Sequence, residues 1–132
     1  MELRDQLSPA VEHGQNFVRL LRRQADIHPR HAEITVSLQA IGILGGAAHP
    51  GDFKAQARAA LQCLKAQVEA GGGTMANIVK VNTYLTDIRH RADLVPIRQE
   101  ILGPRSPAST LVAVAGLAHP DFLIEIEAIA VL

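Results

Sequence analysis

The chain has 132 residues, of which 48% are hydrophobic, so it is long and apolar enough to form one domain with a substantial core. Thirteen basic and thirteen acidic residues give a formal net charge of zero without a block of like charge, which disfavours a nucleic-acid-binding protein or a membrane-surface protein. A single cysteine excludes an intrachain disulfide, and no run approaches the roughly 20 apolar residues of a membrane-spanning helix, so we expect a cytoplasmic protein.

Residues 1–30 show no clear periodicity, and we assign them neither secondary structure nor function. Residues 33–44 are rich in β-branched side chains and alternate between two faces, which predicts a first strand. Gly45 and Gly46 end this strand.

The segment after Asp52 predicts a helix, because aspartate is a favoured N-cap and apolar residues recur at helical spacing until three glycines at positions 71–73. The predicted buried stripe comprises Phe53, Ala57, Ala60, Leu61, Leu64 and Val68. Cys63 lies beside this stripe with no histidine, lysine or arginine arranged around it in sequence. We therefore interpret it as a small buried apolar residue rather than a nucleophile.

Renewed alternation after Asn77 predicts a second strand, which we expect to be central in the sheet. One predicted face carries Val79, Val81, Thr83 and Leu85, and the other carries Lys80, Asn82 and Tyr84.

Residues 89–102 predict a second helix, with Asp93 as the cap of its regular part. Its apolar contacts are expected from Val95, Ile101 and Leu102. Residues 111–117 alternate again and predict a third strand, preceded by a loop that contains Ser109 and Thr110.

Residues 122–132 are the most strand-like run of the chain, and their two faces differ. One face is wholly apolar and consists of Phe122, Ile124, Ile126, Ala128 and Ala130. The other face places Glu125 and Glu127 among Leu123, Ile129 and Val131. Because an ionised carboxylate in apolar surroundings needs a partner or water, this face is either a solvated half-strand or a carboxylate set into a pocket or a subunit boundary.

The order β–α–β–α–β–β predicts an α+β sandwich in which two helices cover one face of a mostly antiparallel sheet. The other sheet face must then meet solvent or another subunit. Apolar residues on both faces of the last strand favour another subunit.

Motifs of high specificity are absent from the sequence. There is no glycine-rich phosphate loop, no GxSxG segment, no paired-cysteine metal signature and no pair of histidines at HExxH spacing. Three phenylalanines, one tyrosine and no tryptophan supply no aromatic platform for single-stranded nucleic acid. We therefore expect no metal, no other cofactor and no nucleic-acid partner.

The chemistry that remains is a carboxylate-bearing strand, with Glu125 and Glu127, beside the hydroxyls of Ser109 and Thr110. Such groups can bind a small polar metabolite and can position water for acid–base chemistry. Alternatively, the two hydroxyls cap their loop and Glu125 meets only backbone or water.

Four segments in this order resemble the RidA family of enamine and imine deaminases, also called YjgF or UK114: GDFKAQARAALQCLKAQVEAGG, NIVKVNTYLTDI, PAST followed by LVAV, and IEIEAIAV. The resemblance covers residues 51–132 and is looser upstream, so we treat residues 1–132 as a single domain with a poorly matched start. It implies a chorismate-mutase-like fold and a homotrimer whose sheets form an inner barrel, with three ligand clefts between neighbouring subunits. Ribonuclease labels used in this family find no support in the charge or aromatic content.

The resemblance also implies site residues. In these deaminases an arginine of a PARS-like loop binds the substrate carboxylate, and Ser109 stands at its position here. Glu125 matches the glutamate that holds the hydrolytic water, and Thr110 matches a hydroxyl position next to the arginine. Losing the arginine removes a charge-assisted pair of about 1.5–3 kcal/mol, so we expect a ligand without the usual carboxylate geometry.

Two further residues are candidates for substrate binding. Gln39 is retained from an SGQ-type segment, although Leu38 replaces its expected glycine. Arg105 lies four residues before Ser109 and could reach the cleft from the loop. The resulting hypothesis is a trimer that hydrolyses or binds small enamines or imines, and the alternative is a non-catalytic metabolite-binding or protective trimer of the same fold.

Overall fold

The computed structural model describes residues 35–41 and 49–132. The unassigned segment 1–30 and both ends of the first predicted strand lie outside the described residues. The elements in chain order are β1 (Thr35–Ile41), α1 (Phe53–Ala70), β2 (Ile78–Leu85), α2 (Arg91–Leu102), β3 (Ala108–Ala113) and β4 (Ile124–Val131). Short 3-10 helices, Met75–Asn77 and Ile88–His90, precede β2 and α2. The predicted order of elements is confirmed.

Within this part of the chain the four strands form one sheet in the order β1-β4-β2-β3. Strand β4 is antiparallel to both of its neighbours, whereas β2 and β3 are parallel and are joined through α2. The predicted mostly antiparallel sheet and the interior position of β2 are therefore confirmed. The two helices pack on one face of the sheet, and the core lies between them and that face.

Helix α1 begins where the sequence predicts. The Asp52 side chain accepts a hydrogen bond from the backbone N–H of Ala55 at 3.1 Å, which satisfies one of the unpaired donors of the first turn. Every residue of the predicted stripe is buried, and Cys63, only 8% exposed, is buried as expected. Gln56 also lies on this stripe and is fully buried, which the apolar pattern did not predict.

Helix α2 differs from the prediction at its start. The side chain of Asp87 caps the preceding 3-10 helix, and the regular helix begins at Arg91, so Asp93 lies inside the first turn and is not the cap. The buried residues of this helix are Leu94, Ile97 and Leu102. Of the residues expected to supply apolar contacts, Leu102 is buried, Ile101 packs against the core, and Val95 is 39% exposed.

Strand β2 contains a bulge that the alternation did not predict. Ile78 pairs with Ala130 and Lys80 pairs with Ile129, so Val79 is an extra residue between the two pairs. Ile78 is consequently buried and Val79 is 48% exposed, which makes the predicted face wrong for Val79. Beyond the bulge, the residues of the predicted inner face are buried: Val81, Thr83 and Leu85.

Strands β3 and β4 carry most of the predicted site. Strand β3 starts at Ala108 and ends at Ala113, so Ser109 and Thr110 lie in the strand rather than in a loop before it. The apolar face of β4 is buried as predicted, together with Phe122 just before the strand. The face with Glu125 and Glu127 is half-buried, and no described helix covers it.

Candidate functional site

The uncovered face of the sheet carries a row of polar residues. Residues that pair across neighbouring strands point to the same face, so the registers can be read from one edge of the sheet to the other. Gln39 pairs with Glu127, Glu127 with Asn82, and Asn82 with Thr110. Glu127, Asn82 and Thr110 therefore form one polar row across β4, β2 and β3, with Gln39 opposite Glu127 in the backbone register of β1, and the next row contains the Glu125–Tyr84 pair.

Glu127 is the acid of this row, and two neighbouring side chains donate hydrogen bonds to it. Its Oε2 accepts hydrogen bonds from Asn82 Nδ2 at 3.3 Å and from the Tyr84 hydroxyl at 3.2 Å. A half-buried carboxylate is thus partnered by two neutral donors, which is one of the two ways to stabilise it on this face. Sequence reasoning selected Glu125 and missed Asn82 and Tyr84, although both lie on the polar side of the predicted second strand.

The charges of Glu127 and Glu125 affect the pKa of the Tyr84 hydroxyl. Loss of hydration raises the pKa of the Tyr84 hydroxyl, and the nearby charge of Glu127, its hydrogen bond and the charge of Glu125 raise this pKa further. The hydroxyl therefore stays protonated at neutral pH and remains a donor to Glu127. Glu125 is half-buried and directly opposite Tyr84 in the register.

Ser109 and Thr110 lie on opposite faces of the sheet because they are consecutive residues of one strand. Thr110 pairs with Asn82 and shares the face of Glu125 and Glu127. Ser109 pairs with the buried Val81 and faces α2. Within one chain, the structure brings Thr110, but not Ser109, to the side of the sheet that carries Glu125.

Ser109 belongs instead to a pocket of about 230 Å³ between α2 and the start of β3. Its Oγ accepts a hydrogen bond from Arg98 Nη1 at 2.8 Å. Arg105, a predicted binding residue, lines the same pocket together with Ser106. Burial lowers the pKa of the Arg98 guanidinium from its ordinary value, because the charged form loses hydration. Sequence reasoning did not single out Arg98.

The uncovered sheet face has a small pocket of its own, of about 80 Å³, lined in part by Lys80, Asn82 and Glu127.

No group of three or more metal-ligating side chains capable of holding a metal ion occurs among the described residues. No helix within that part of the chain is long and apolar enough to span a membrane.

A family model for endoribonuclease L-PSP proteins matches residues 35–132. A RutC family protein of Pyrococcus horikoshii is 41% identical to this chain over 123 residues, which cover 93% of this chain and 84% of that protein. The chain belongs to the RidA family.

Solved structures of the RidA family share the fold. The crystal structure of RidA from an Antarctic Psychrobacter species aligns with a TM-score of 0.59 and 36% identity, over 62% of this chain and 66% of that one. A YjgF/YER057c/UK114 family member from Mycobacterium tuberculosis aligns with a TM-score of 0.66 and 27% identity, over 77% of this chain and 82% of that one. The predicted α+β fold is therefore confirmed.

Proposed function

We propose that this RidA-family protein binds small enamines or imines and hydrolyses them, with Glu125 as the acid–base residue. The observation that carries the proposal is the coupled group of Glu125, Tyr84 and Glu127 on the uncovered sheet face. Hydrolysis of an imine adds water to the C=N carbon and releases ammonia, leaving a carbonyl product. A carboxylate can take a proton from the attacking water and return it to the departing nitrogen.

The surrounding residues have separate proposed roles. Thr110 and Gln39 flank the carboxylates in the register and are proposed to contact substrate. Tyr84 and Asn82 hold Glu127 through neutral hydrogen bonds, so the second carboxylate is kept in place beside Glu125. Neither a metal nor another cofactor is needed for this chemistry.

We also propose a homotrimer in which the uncovered sheet faces meet. This face carries the half-buried apolar residues Ile129 and Val131, and Val112 on it is 41% exposed. Burying such side chains against another subunit is favourable by about 25 cal/mol per Å² of apolar surface. Light scattering at micromolar concentration should report about three times 14.2 kDa, and a monomer would contradict the assembly.

The activity is tested by ammonia release from imines generated in place by an amino-acid oxidase. Glu125→Gln should abolish release and leave the assembly intact, because the amide keeps the shape but is a far weaker proton acceptor. Glu69→Gln is the matched control, since Glu69 is exposed on α1, where it pairs with Lys65. Full activity of Glu125→Gln would contradict the assigned role.

A second candidate, a non-catalytic metabolite-binding trimer, is favoured by one observation. Ser109 stands at the position of the expected arginine, and in this chain it faces α2 rather than Glu125. If native protein binds small metabolites but releases no ammonia from any imine supplied, this candidate is the better description.

A further inference from the structure

The pocket between α2 and β3 contains two arginines at its surface. Arg98 reaches it from the penultimate turn of the helix, and Arg105 lines it from the connection to β3. With a volume of about 230 Å³, the pocket has room for a molecule of a few carbon atoms.

The two arginines of the pocket differ from Arg58 and Arg89, which each pair with a carboxylate, and Arg98 differs from the exposed Arg91 in being half-buried. Arg58 donates to Glu100 at 2.8 Å, and Arg89 holds both carboxylate oxygens of Asp87. Across residues 49–132, no carboxylate lies within ion-pair distance of Arg98 or Arg105. Arg105 is exposed, but Arg98 is half-buried. A half-buried guanidinium without a carboxylate is costly to desolvate, and a bound anion would offset that cost.

The direction of the Arg98–Ser109 hydrogen bond leaves hydrogen-bond donors available to an anion in the pocket. Arginine only donates, so Ser109 Oγ accepts, and the hydroxyl keeps its own proton to give to another acceptor. The remaining N–H groups of Arg98 are also donors. A planar fork beside a hydroxyl donor matches the two oxygens of a carboxylate, which arginine binds in bidentate fashion.

We propose that Arg98, with Ser109 and Arg105, forms a binding site for the carboxylate of a small 2-oxo or 2-imino acid. Arg98 thereby supplies from helix α2 the cation that the residue type at position 109 lacks. This inference rests on the proposed function only for the choice of acid, and binding can be measured without turnover.

Pyruvate is the probe for isothermal titration calorimetry. It should bind native protein saturably, and Arg98→Gln should weaken binding by about 10- to 100-fold, because charge-assisted hydrogen bonds are lost. Arg91→Gln is the matched control: Arg91 lies seven residues earlier on the same helix, so it carries its charge on about the same helix face roughly 10 Å away. This control should bind pyruvate like native protein.

Two other ligands test the chemistry of the site. Pyruvamide has the same shape without the negative charge and should not bind measurably. Inorganic phosphate should bind more weakly than pyruvate. Equal binding of pyruvamide, or binding of phosphate without binding of pyruvate, would overturn the proposal.

Nuclear magnetic resonance tests the site in the native protein, so the result does not depend on whether a variant folds. The side-chain Nε–H resonance of Arg98 should shift on pyruvate addition, while that of Arg58, paired with Glu100, should not. An unmoved Arg98 resonance at saturating pyruvate, or unchanged affinity in Arg98→Gln, would overturn the assignment. Pyruvate binding without ammonia release contradicts only the proposed function, and ammonia release without pyruvate binding contradicts only this inference.

Discussion

Replacing Gln56 by leucine should destabilise the fold by about 3 kcal/mol, although the substitution is nearly equal in volume and more apolar. Gln56 is fully buried, and its amide ties α1 to two loops. Nε2 donates to the backbone oxygens of His49 at 3.0 Å and Asp121 at 2.8 Å, and Oε1 accepts from the N–H of Leu123 at 2.9 Å. Leucine would leave all three backbone groups without these partners.

The magnitude follows from the surroundings of those groups. An unpaired buried polar group costs about 1–3 kcal/mol, and the lower end applies here because His49 and Asp121 are exposed, so water can reach their carbonyls. Three groups at about 1 kcal/mol each amount to about 3 kcal/mol. For a chain of this size, this corresponds to a fall in Tm of about 10 °C.

Urea unfolding followed by circular dichroism measures the loss, at one protein concentration for all variants. Gln62→Leu is the matched control, because Gln62 is exposed on the same helix, and it should change the free energy of unfolding by less than about 0.5 kcal/mol. The expected loss in the free energy of unfolding is ~3 kcal/mol. If Gln56→Leu loses less than about 1 kcal/mol, the three hydrogen bonds do not stabilise the fold as argued.

Tyr84 is the only tyrosine of the chain, so its ionisation can be followed by absorbance without ambiguity. Glu127→Gln should lower the pKa of Tyr84 towards the ordinary value more than Glu125→Gln does, because Glu127 acts through both its charge and its hydrogen bond. A larger effect of Glu125→Gln would refute the described arrangement of Tyr84, Glu125 and Glu127. Arg89 lowers the pKa of Asp87 from 3.8 to about 2, so the stabilisation from Asp87 is present above pH 3.8 and is lost as the pH falls through about 2. Asp87→Asn should therefore be less stable than native protein at neutral pH, and unfolding measured against pH should show the difference shrinking below pH 4; a constant difference would contradict this origin.

Local patterns in the sequence were sufficient for much of the fold. Helix α1 follows from an N-cap at Asp52 and a 3.6-residue apolar period, both of which depend only on neighbours along the chain. The alternation of residues 124–131 likewise predicted the buried and half-buried faces of β4. The four matching segments were enough to recognise the family, which the comparisons then confirmed.

The candidate site was predictable only in part. Glu125 and Thr110 lie on one sheet face, but Ser109, predicted beside them, lies on the other face. The reason is the start of β3: once Ala108 is in the strand, consecutive residues must point to opposite sides. A loop assignment imposes no such rule, so the two hydroxyls could not be separated in advance.

The sequence by itself determined the order of elements, the buried stripe of α1, the two faces of β4 and the family. The tertiary structure alone decided the bulge at Val79, the hydrogen-bonded trio of Glu127, Asn82 and Tyr84, and the approach of Arg98 to Ser109. Periodicity reports which way a side chain points relative to its own neighbours. Strand register, the position of a bulge and the reach of a helix side chain towards an edge strand depend instead on how the packed elements are aligned with one another.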